Sequence, residues 1–195
     1  MAEPLSVVLH AARRGGDMFG KRVLVTGCGP IGLLAVLVAR AAGAVEVVAT
    51  DIAPFTLGKA IVVGADDALN VAEDPDALAP YREGKGHFDV LFECSGVGAA
   101  LAGAIPALRP RAVILQLGLG GDMTLPVQAM TAKEIDFRGS FRFHGEFFEA
   151  VEMMRACRLD VRPLISRVMP FSDAVAAFEQ ASDRTSAIKI QLGFS

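Results

Sequence analysis

Between residues 23 and 32 the chain reads VLVTGCGPIG, so a short apolar run leads directly into glycines spaced as G-x-G-x-x-G. The apolar run favours a buried strand, and the residues from Pro30 onward favour a helix. In such a strand–turn–helix unit, Gly27 permits the tight turn, Gly29 lets a ligand approach the backbone, and Gly32 lets helix and strand pack closely. A helix that begins here presents free N–H groups to an anion, so the loop is predicted to bind a pyrophosphate.

An acidic residue follows the second predicted strand, where a dinucleotide site needs one. This strand spans residues 45–49, and Asp51 stands about twenty residues past the glycines. A carboxylate there accepts hydrogen bonds from the adenosine ribose and repels the extra phosphate of NADP, so Asp51 favours NAD. Alternatively, Asp51 caps the helix that Pro54 opens. The cofactor-binding residues predicted in this part of the chain are Gly27, Gly29, Pro30, Ile31, Gly32 and Asp51.

Further apolar runs recur along the chain, with helical patterns between them. They occupy residues 23–25, 45–49, 90–92 and 113–117. Because consecutive residues in these runs are apolar, both faces of each strand are expected to be buried, as in a parallel sheet covered by helices on both sides. With right-handed crossovers, we expect an α/β protein with a Rossmann fold: a doubly wound, six-stranded parallel sheet followed by a C-terminal extension.

Three parts of the chain are predicted from glycines, prolines and a change of pattern after Gly139. Residues 1–20 are expected to form a linking helix, residues 21–143 the nucleotide-binding domain, and residues 144–195 the extension. The elements expected in the extension are a helix over residues 145–157, a helix that begins at residues 172–173, and a last strand over residues 188–192.

Composition excludes several classes of protein. Apolar residues make up 52% and charged residues 21% of the 195-residue chain, which is typical of a globular protein and excludes a disordered tail. No apolar run reaches the ~20 residues of a membrane-spanning helix, and no basic stretch after Met1 leads into an apolar core, so a cytoplasmic protein is expected. The net charge is -3 without a basic cluster, which argues against nucleic acid as a partner.

Cysteines and histidines show no metal-ligand spacing. Cys28, Cys94 and Cys157 are too far apart for a Cys-x-x-Cys pair, and the three histidines are equally isolated. An odd number of widely spaced cysteines also gives no disulfide framework. The sequence therefore predicts free thiols and no metal site in this chain.

Five motifs, in order along the chain, carry a family resemblance. They are Glu3-Pro4-Leu5-Ser6-Val7, the glycine loop over residues 25–32, Phe92-Glu93-Cys94-Ser95-Gly96, Lys133-Glu134-Ile135 and Gly139-Ser140-Phe141-Arg142-Phe143. Over essentially its whole length the chain resembles the medium-chain dehydrogenase/reductase family, especially the polyol branch that contains sorbitol and L-idonate 5-dehydrogenases. Residues 140–146 and 160–165 are most similar to the L-idonate enzymes.

The resemblance implies NAD-linked oxidation of a secondary alcohol on a sugar acid or polyol, with a zinc ion that polarises the alcohol oxygen. In the family the zinc ligands lie in an N-terminal domain that would precede Glu3. The chain is therefore expected to be the cofactor-binding portion of a zinc-type dehydrogenase, inactive alone, whose extension would pack on the absent catalytic domain. The apolar face of the tail from Leu164 onward is then expected to be exposed, refolded or covered by another chain.

Residue roles also follow from the resemblance. The residues that it places around the cofactor crevice are Ser95, Gly96, Leu117, Gly118, Leu119, Ser140 and Phe141, the last five on the nicotinamide side. Arg142 is similar to the family's substrate-contacting arginine, and its planar guanidinium suits a carboxylate, although an exposed arginine often forms only a surface salt bridge. Glu3 resembles the glutamate that reaches the zinc-bound water or the substrate; its position alone indicates an acid favoured by a helix start.

Other functions stay open. The chain could belong to the NADPH-linked, zinc-free quinone or enoyl reductases of the same superfamily, although Asp51 counts against them, or it could be a stand-alone NAD-binding, redox-sensing module. A pure cofactor binder has no evident need for Glu3 and Arg142, which favours the enzyme. In the family a strand at the sheet edge pairs with its two-fold mate, and residues 123–127 occupy that place, so a homodimer is expected. Arg111 stands where the family has a turn glycine.

Overall fold

The computed structural model describes residues 1–194 and shows a central sheet flanked by helices. The helices are α1 (Ala2–Gly15), α2 (Pro30–Ala41), α3 (Pro54–Val62), α4 (Gly98–Ala104), α5 (Val127–Ala132), α6 (Glu146–Arg155) and α7 (Ala174–Ser182). The strands are β1 (Arg22–Thr26), β2 (Glu46–Asp51), β3 (Asp67–Asn70), β4 (Phe88–Glu93), β5 (Leu108–Gln116), β6 (Asp136–Gly139), β7 (Ile165–Pro170) and β8 (Lys189–Gly193).

Six strands form one parallel sheet in the order β3-β2-β1-β4-β5-β6, which confirms the predicted doubly wound fold. All four apolar runs contribute strands to this sheet. The strand order reverses between β1 and β4, so the loops that follow these two strands diverge and leave a crevice at the carboxyl ends. Ligands of open α/β sheets bind in such a crevice.

The central strands β1, β2 and β4 are buried on both faces, as their continuous apolar sequence predicted. On β1, Val23 and Val25 pack into the hydrophobic core that also contains α1, α2 and α6, whereas Leu24 points into a second core with α4. Successive side chains on a strand point to opposite faces, so this one strand contributes to both cores. Buried residues of α1 and α6 belong to the first core together with residues of the sheet. The packing is therefore continuous across the predicted boundaries at residues 20 and 144.

The single chain forms no strand at residues 123–127, where a sheet-edge strand paired with a second copy was predicted. Residues 121–126 carry no strand, Pro126 is the N-cap of α5, and the helix begins at Val127. A strand needs a hydrogen-bonded neighbour, and Pro126 has no N–H to donate. The edge on this side of the sheet is instead β6, which pairs with β5. Its polar, largely exposed residues gave no strand signal in the sequence.

The C-terminal extension forms a separate two-stranded sheet beyond α6, while Leu164 and Ile188 pack into the first core. Strands β7 and β8 pair in parallel and α7 connects them. The expected last strand is present one residue later than predicted, and α7 follows a short 3-10 turn over Phe171–Asp173. Large apolar side chains are exposed on the extension, one of the outcomes expected for the tail, and they are Val168, Phe171, Val175, Phe178 and Phe194. None of the helices formed by residues 1–194 combines the length and apolar character that crossing a membrane requires.

Arg111 adopts a glycine-like conformation. Its φ is 65°, in the left-handed region, and its N–H donates to the carbonyl of Lys133 at 2.7 Å. This conformation costs a non-glycine residue roughly 1–2 kcal/mol. The backbone thus has the shape of a glycine turn although the side chain is that of arginine.

Candidate cofactor-binding site

The glycine loop lies at the carboxyl end of β1 and leaves the start of α2 open. Gly27 has a φ of 84°, and a Cβ atom on it would lie 2.7 Å from the backbone of Ser95. A Cβ on Gly32 would overlap the carbonyl oxygen of Gly27, so α2 can approach β1 only with glycine here. Gly29 is the N-cap of α2, and a Cβ on it would have no heavy atom within 4 Å. The loop therefore forms a tight backbone turn below an open space at a helix N-terminus, which can accept an anion.

Asp51 joins the end of β2 to this loop. Its Oδ2 accepts the N–H of Cys28 at 2.5 Å, while Oδ1 accepts the N–H groups of Ile52 at 2.7 Å and Ala53 at 3.0 Å. The N-cap of α3 is Ala53, without a side-chain cap, so Asp51 does not cap that helix as the alternative interpretation proposed. The half-buried carboxylate orders the turn after β2 and stands beside the glycine loop.

The loops after β4 and β5 pack backbone against backbone. Gly96 has a φ of 68°, and a Cβ on it would lie 2.6 Å from the carbonyl oxygen of Leu119. A Cβ on Gly118 would overlap the N–H of Gly96. Leu117 is buried, whereas the side chain of Leu119 is 79% exposed. The structure thus brings together Ser95, Gly96 and residues 117–119, which the sequence had assigned to the crevice only by resemblance.

A buried carboxylate that the sequence analysis did not single out lies beneath these loops. Glu93, at the end of β4, is fully buried. Its Oε1 accepts the N–H groups of Ser95 at 2.8 Å and Gly96 at 3.1 Å, and also the hydroxyl of Ser95. Its Oε2 accepts Nε2 of Gln116 at 2.6 Å. An acidic residue inside an otherwise apolar strand was the available signal, because buried charges are rare unless they are hydrogen-bonded.

Two buried polar atoms near the ends of β5 and β6 have no hydrogen-bond partner within the described part of the chain. They are Oε1 of Gln116 and Oγ of Ser140. The two residues are neighbours, since the N–H of Ser140 donates to the carbonyl of Gln116 at 2.9 Å. Buried polar atoms are nearly always hydrogen-bonded, so this place is suited to a polar ligand or an ordered water.

Phe141 and Arg142 follow at the surface. Arg142 has a φ of 55°, and its guanidinium carbon lies 5.4 Å from the centroid of the Phe141 ring. None of the ion pairs formed among residues 1–194 involves Arg142, so the surface salt bridge considered for it is not observed there. The guanidinium is therefore open to an anionic ligand.

Glu3 occupies the first turn of α1 and is exposed. An acid at this position interacts favourably with the N-terminal end of the helix dipole. No hydrogen bond or ion pair within residues 1–194 joins it to Arg142. The structure thus places Glu3 where either interpretation of the sequence allows it, and it does not bring these two residues into contact.

The loop between β6 and α6 is tied to α1 by Glu146. This carboxylate accepts the N–H of His144 at 2.7 Å and approaches Nδ1 of His10 at 3.2 Å and Nη1 of Arg13 at 3.5 Å. Burial alone would raise the pKa of Glu146, but the hydrogen bonds from His144 and His10 outweigh it and lower the pKa to about 2. Glu146 therefore stays charged and holds the segment that carries Ser140 and Arg142.

The residues at the carboxyl ends of the strands fit a dinucleotide better than they fit a metal ion. The glycine loop offers an open helix start, Asp51 an acceptor for hydroxyl groups, and the ends of β5 and β6 offer two unsatisfied polar atoms. By contrast, residues 1–194 contain no group of three or more His, Cys, Asp or Glu side chains that could hold a metal ion. Ligands for zinc would have to come from outside these residues.

Comparison with known proteins agrees with this geometry. The family model described as zinc-binding dehydrogenase matches residues 30–156. L-idonate 5-dehydrogenase (NAD(P)(+)) of Escherichia coli K12 is 40% identical over 99% of this chain and 56% of its own length. Human sorbitol dehydrogenase is 39% identical over 92% of this chain and 51% of its own length.

Solved structures show the same fold. The crystal structure of the E. coli L-idonate 5-dehydrogenase superposes with a TM-score of 0.93, covering 99% of this chain and 56% of that one. The structure of 2R,3R-butanediol dehydrogenase from Bacillus subtilis, 25% identical, gives a TM-score of 0.91 over 100% of this chain and 56% of that one. The chain thus spans about half the length of the curated relatives that it matches. By the family model and by its fold, the chain belongs to the zinc-binding dehydrogenase family.

Proposed function

We propose that the chain binds NAD in this crevice, in preference to NADP. The observation that carries the proposal is the position of Asp51, whose Oδ2 is held 2.5 Å from the N–H of Cys28 in the glycine loop. With the pyrophosphate on the start of α2, the adenosine ribose would lie beside the end of β2. A carboxylate there accepts hydrogen bonds from both ribose hydroxyls and repels a 2′-phosphate.

The other predicted cofactor-binding residues are proposed to contact the same NAD molecule. Gly29, Pro30 and Ile31 would lie against the pyrophosphate, and the nicotinamide would lie over the ends of β4, β5 and β6. The residues proposed to surround the nicotinamide are Ser95, Gly96, Leu117, Gly118, Leu119, Ser140 and Phe141. The unsatisfied hydroxyl of Ser140 supports this placement, because a carboxamide can donate to it or accept from it.

For the whole protein we propose a dehydrogenase that oxidises a secondary alcohol on a sugar acid or polyol. Bound NAD supplies the hydride acceptor. The names of the relatives, L-idonate 5-dehydrogenase and sorbitol dehydrogenase, support this substrate class. Arg142 is free to bind a substrate carboxylate through two parallel hydrogen bonds, and Glu3 is the second residue proposed to contact the substrate. Zinc ligands are proposed to lie in a separate domain, so no turnover is expected from this chain alone.

Titration calorimetry with NADH and NADPH tests the cofactor preference. We expect NADH to bind at least about tenfold more tightly, because only NADPH brings a phosphate against Asp51. The Asp51→Asn variant loses the charge; it can keep its oxygen toward Cys28, but its NH2 group then faces the N–H groups of Ile52 and Ala53, so thermal unfolding accompanies the titration. The difference between the two ligands should shrink to roughly threefold or less. Glu73 is exposed beyond β3, so Glu73→Gln, which makes the same replacement of a carboxylate by an amide, should behave as the wild type.

Other outcomes would redirect the proposal. Tighter binding of NADPH would favour the zinc-free reductases of the same superfamily. Binding of neither ligand would contradict the cofactor site itself. A homodimer through the edge of the sheet and a cytoplasmic location stay predictions from the sequence.

A further inference from the structure

We propose that Glu93, with Gln116, is a positioning residue that holds the nicotinamide side of the crevice in its binding shape. The inference rests on the proposed NAD site and adds to it a residue that need not touch the ligand. Glu93 is fully buried at the end of β4, and Gln116 is the last residue of the neighbouring strand β5. Their side chains meet at 2.6 Å, directly below the two loops proposed to surround the nicotinamide.

The carboxylate of Glu93 determines the shape of the loop that follows β4, which we call the first loop. It accepts the N–H groups of Ser95 and Gly96, so these two donors turn downward, away from the crevice. The hydroxyl of Ser95, which also donates to Glu93, accepts the N–H of Val97 at 3.0 Å. Hydrogen bonds to an ionised acceptor are about twice as strong as neutral ones, which favours this one conformation of the loop.

The loop that follows β5, the second loop, is held by Glu93 and Gln116. The main-chain carbonyl of Glu93 accepts the N–H groups of Leu117 at 2.9 Å and Gly118 at 2.8 Å. Nε2 of Gln116 donates to Glu93 and also to the carbonyl of Gly118 at 2.8 Å. Both partners of Nε2 are acceptors, which settles the orientation of the amide and leaves Oε1 of Gln116 without a donor among residues 1–194.

The fit between the loops leaves no room for an altered arrangement. A Cβ on Gly118 would lie close to Oε2 of Glu93 and would overlap the N–H of Gly96, and a Cβ on Gly120 would overlap the carbonyl of Gly96. Because backbone touches backbone here, a change in how Glu93 holds one loop must move the other. The pair Glu93–Gln116 therefore sets the distance between the two walls of the nicotinamide site.

Replacing the carboxylate by an amide breaks this arrangement with little change of volume. In Glu93→Gln, an NH2 group takes the place of one oxygen and faces either the N–H groups of the first loop or the NH2 group of Gln116. Gln116 could rotate its amide, but it would then direct an oxygen at the carbonyl of Gly118. Either way two like groups are opposed in a buried place, where an unsatisfied polar group costs about 1–3 kcal/mol.

A second carboxylate on β4 offers a matched control. Asp89 lies near the amino end of the same strand, accepts the N–H of Arg22 at 2.9 Å and pairs with Nη1 of Arg109 at 2.7 Å. It is also largely buried, and Asp89→Asn makes the same oxygen-to-NH2 exchange at the opposite end of the strand. Both variants should lose stability, but only a change at Glu93 should reach the proposed nicotinamide site.

The test measures binding of NADH and of ADP-ribose, which lacks the nicotinamide, to this chain and its variants by calorimetry. For Glu93→Gln we expect at least about a tenfold weaker affinity for NADH and a change of less than about twofold for ADP-ribose. Asp89→Asn should leave both affinities within about twofold of wild type. Gln116→Met, which removes the donor to Glu93 and Gly118 together with the unpaired Oε1, should weaken NADH about threefold. The double variant should be no weaker than Glu93→Gln alone, because both changes act on one contact.

The other possible outcomes would overturn either the inference about Glu93 or the proposed function. Equal losses for NADH and ADP-ribose, or no loss, would show that Glu93 only stabilises the fold and would overturn the inference. If Glu93→Gln does not fold, as judged by thermal unfolding, Gln116→Met carries the test, and an unchanged ratio of the two affinities would overturn it. A wild-type chain that binds neither ligand would contradict the proposed function, and the inference with it.

Discussion

The two ends of the six-stranded sheet use acidic side chains in different ways. At the amino end, acids pair with bases: Glu46 approaches Nε2 of His87 at 2.6 Å, and Asp89 pairs with Arg109 at 2.7 Å while it also accepts the N–H of Arg22 on the neighbouring strand at 2.9 Å. At the carboxyl end, Asp51 and Glu93 accept backbone N–H groups of neighbouring loops. The amino-end acids bind bases and a neighbouring strand, which supports the sheet, whereas carboxylates that accept the main-chain N–H groups of a loop give that loop a definite shape.

This difference separates the end that supports the fold from the end at which we propose that the ligand binds. The carboxyl-end loops bind one another through glycine backbone and leave the start of α2 uncovered at Gly29. Changes there should affect ligand binding at least as strongly as stability. Changes at the amino end should affect stability alone, as for Asp89→Asn.

Among changes at the carboxyl end of the sheet, Gly32→Ala is expected to have the largest effect on stability and on NADH binding. The added methyl group would overlap the carbonyl oxygen of Gly27, so α2 must move away from β1. We expect a loss of roughly 3 kcal/mol or more in the free energy of unfolding, at the upper end of overpacking effects, and no detectable NADH binding. Urea unfolding and calorimetry measure the two quantities.

A glycine in an open helix position provides the control for Gly32→Ala. Gly58 lies in α3, is exposed, and a methyl group on it would have no heavy atom within 4 Å. Gly58→Ala should therefore stabilise the chain by up to about 1 kcal/mol through helix propensity. A Gly32→Ala variant as stable as the wild type would show that the close approach of α2 and β1 does not constrain the loop.

A smaller effect, restricted to binding, is expected from Gly29→Ala. Its φ of -68° suits any residue and its methyl group would meet no atom, so the free energy of unfolding should change by less than about 0.5 kcal/mol. The methyl group would, however, occupy the side from which the pyrophosphate is proposed to approach. NADH affinity should fall about tenfold in calorimetry. Unchanged affinity would mean that the pyrophosphate does not lie over Gly29.

The central part of the fold could be predicted because its signals are local. The glycine spacing after β1 and the continuous apolar runs of β1, β2, β4 and β5 each lie within a few residues, and the structure confirms them. Strands β3 and β6 gave no comparable signal, since they are short and partly exposed at the edges of the sheet. The strand predicted at residues 123–127 came from a resemblance in which a second chain supplies the hydrogen-bonded neighbour, and the single chain forms no strand there.

The candidate site could be predicted only where single positions carry the chemistry. Asp51 and the glycines are recognisable alone, although the bond from Cys28 to Asp51 is not. The role of Glu93 depends on Gln116, 23 residues away, and that of Glu146 on His10, 136 residues away. Such contacts exist only after the sheet and α1 have assembled. The sequence alone shows the acidic residue but not the group that it will meet.

The smallest effect concerns Glu146, which holds the loop after β6 at the carboxyl end of the sheet. Its pKa is lowered from the usual 4.5 to about 2, so the folded chain binds the proton more weakly than the unfolded chain. The stabilisation is therefore complete above about pH 4.5 and is lost as the pH falls from there towards 2. Allowing for screening by solvent, it should amount to on the order of 1–2 kcal/mol.

Urea unfolding at pH 6 and pH 3 of the wild type and Glu146→Gln measures this contribution. The variant should be less stable at pH 6, and its difference from the wild type should shrink at pH 3, because at that pH the unfolded wild-type chain binds a proton that the folded chain, with a pKa of about 2, largely does not. Glu149→Gln, whose exposed carboxylate also pairs with Arg13, should differ from the wild type by less than about 0.5 kcal/mol at both values. If the free energy of unfolding of Glu146→Gln differs from that of the wild type by the same amount at pH 6 and pH 3, Glu146 stabilises the chain through packing rather than through its charge. The acid-sensitive support of the loop that carries Ser140 and Arg142 would then have to lie in another contact.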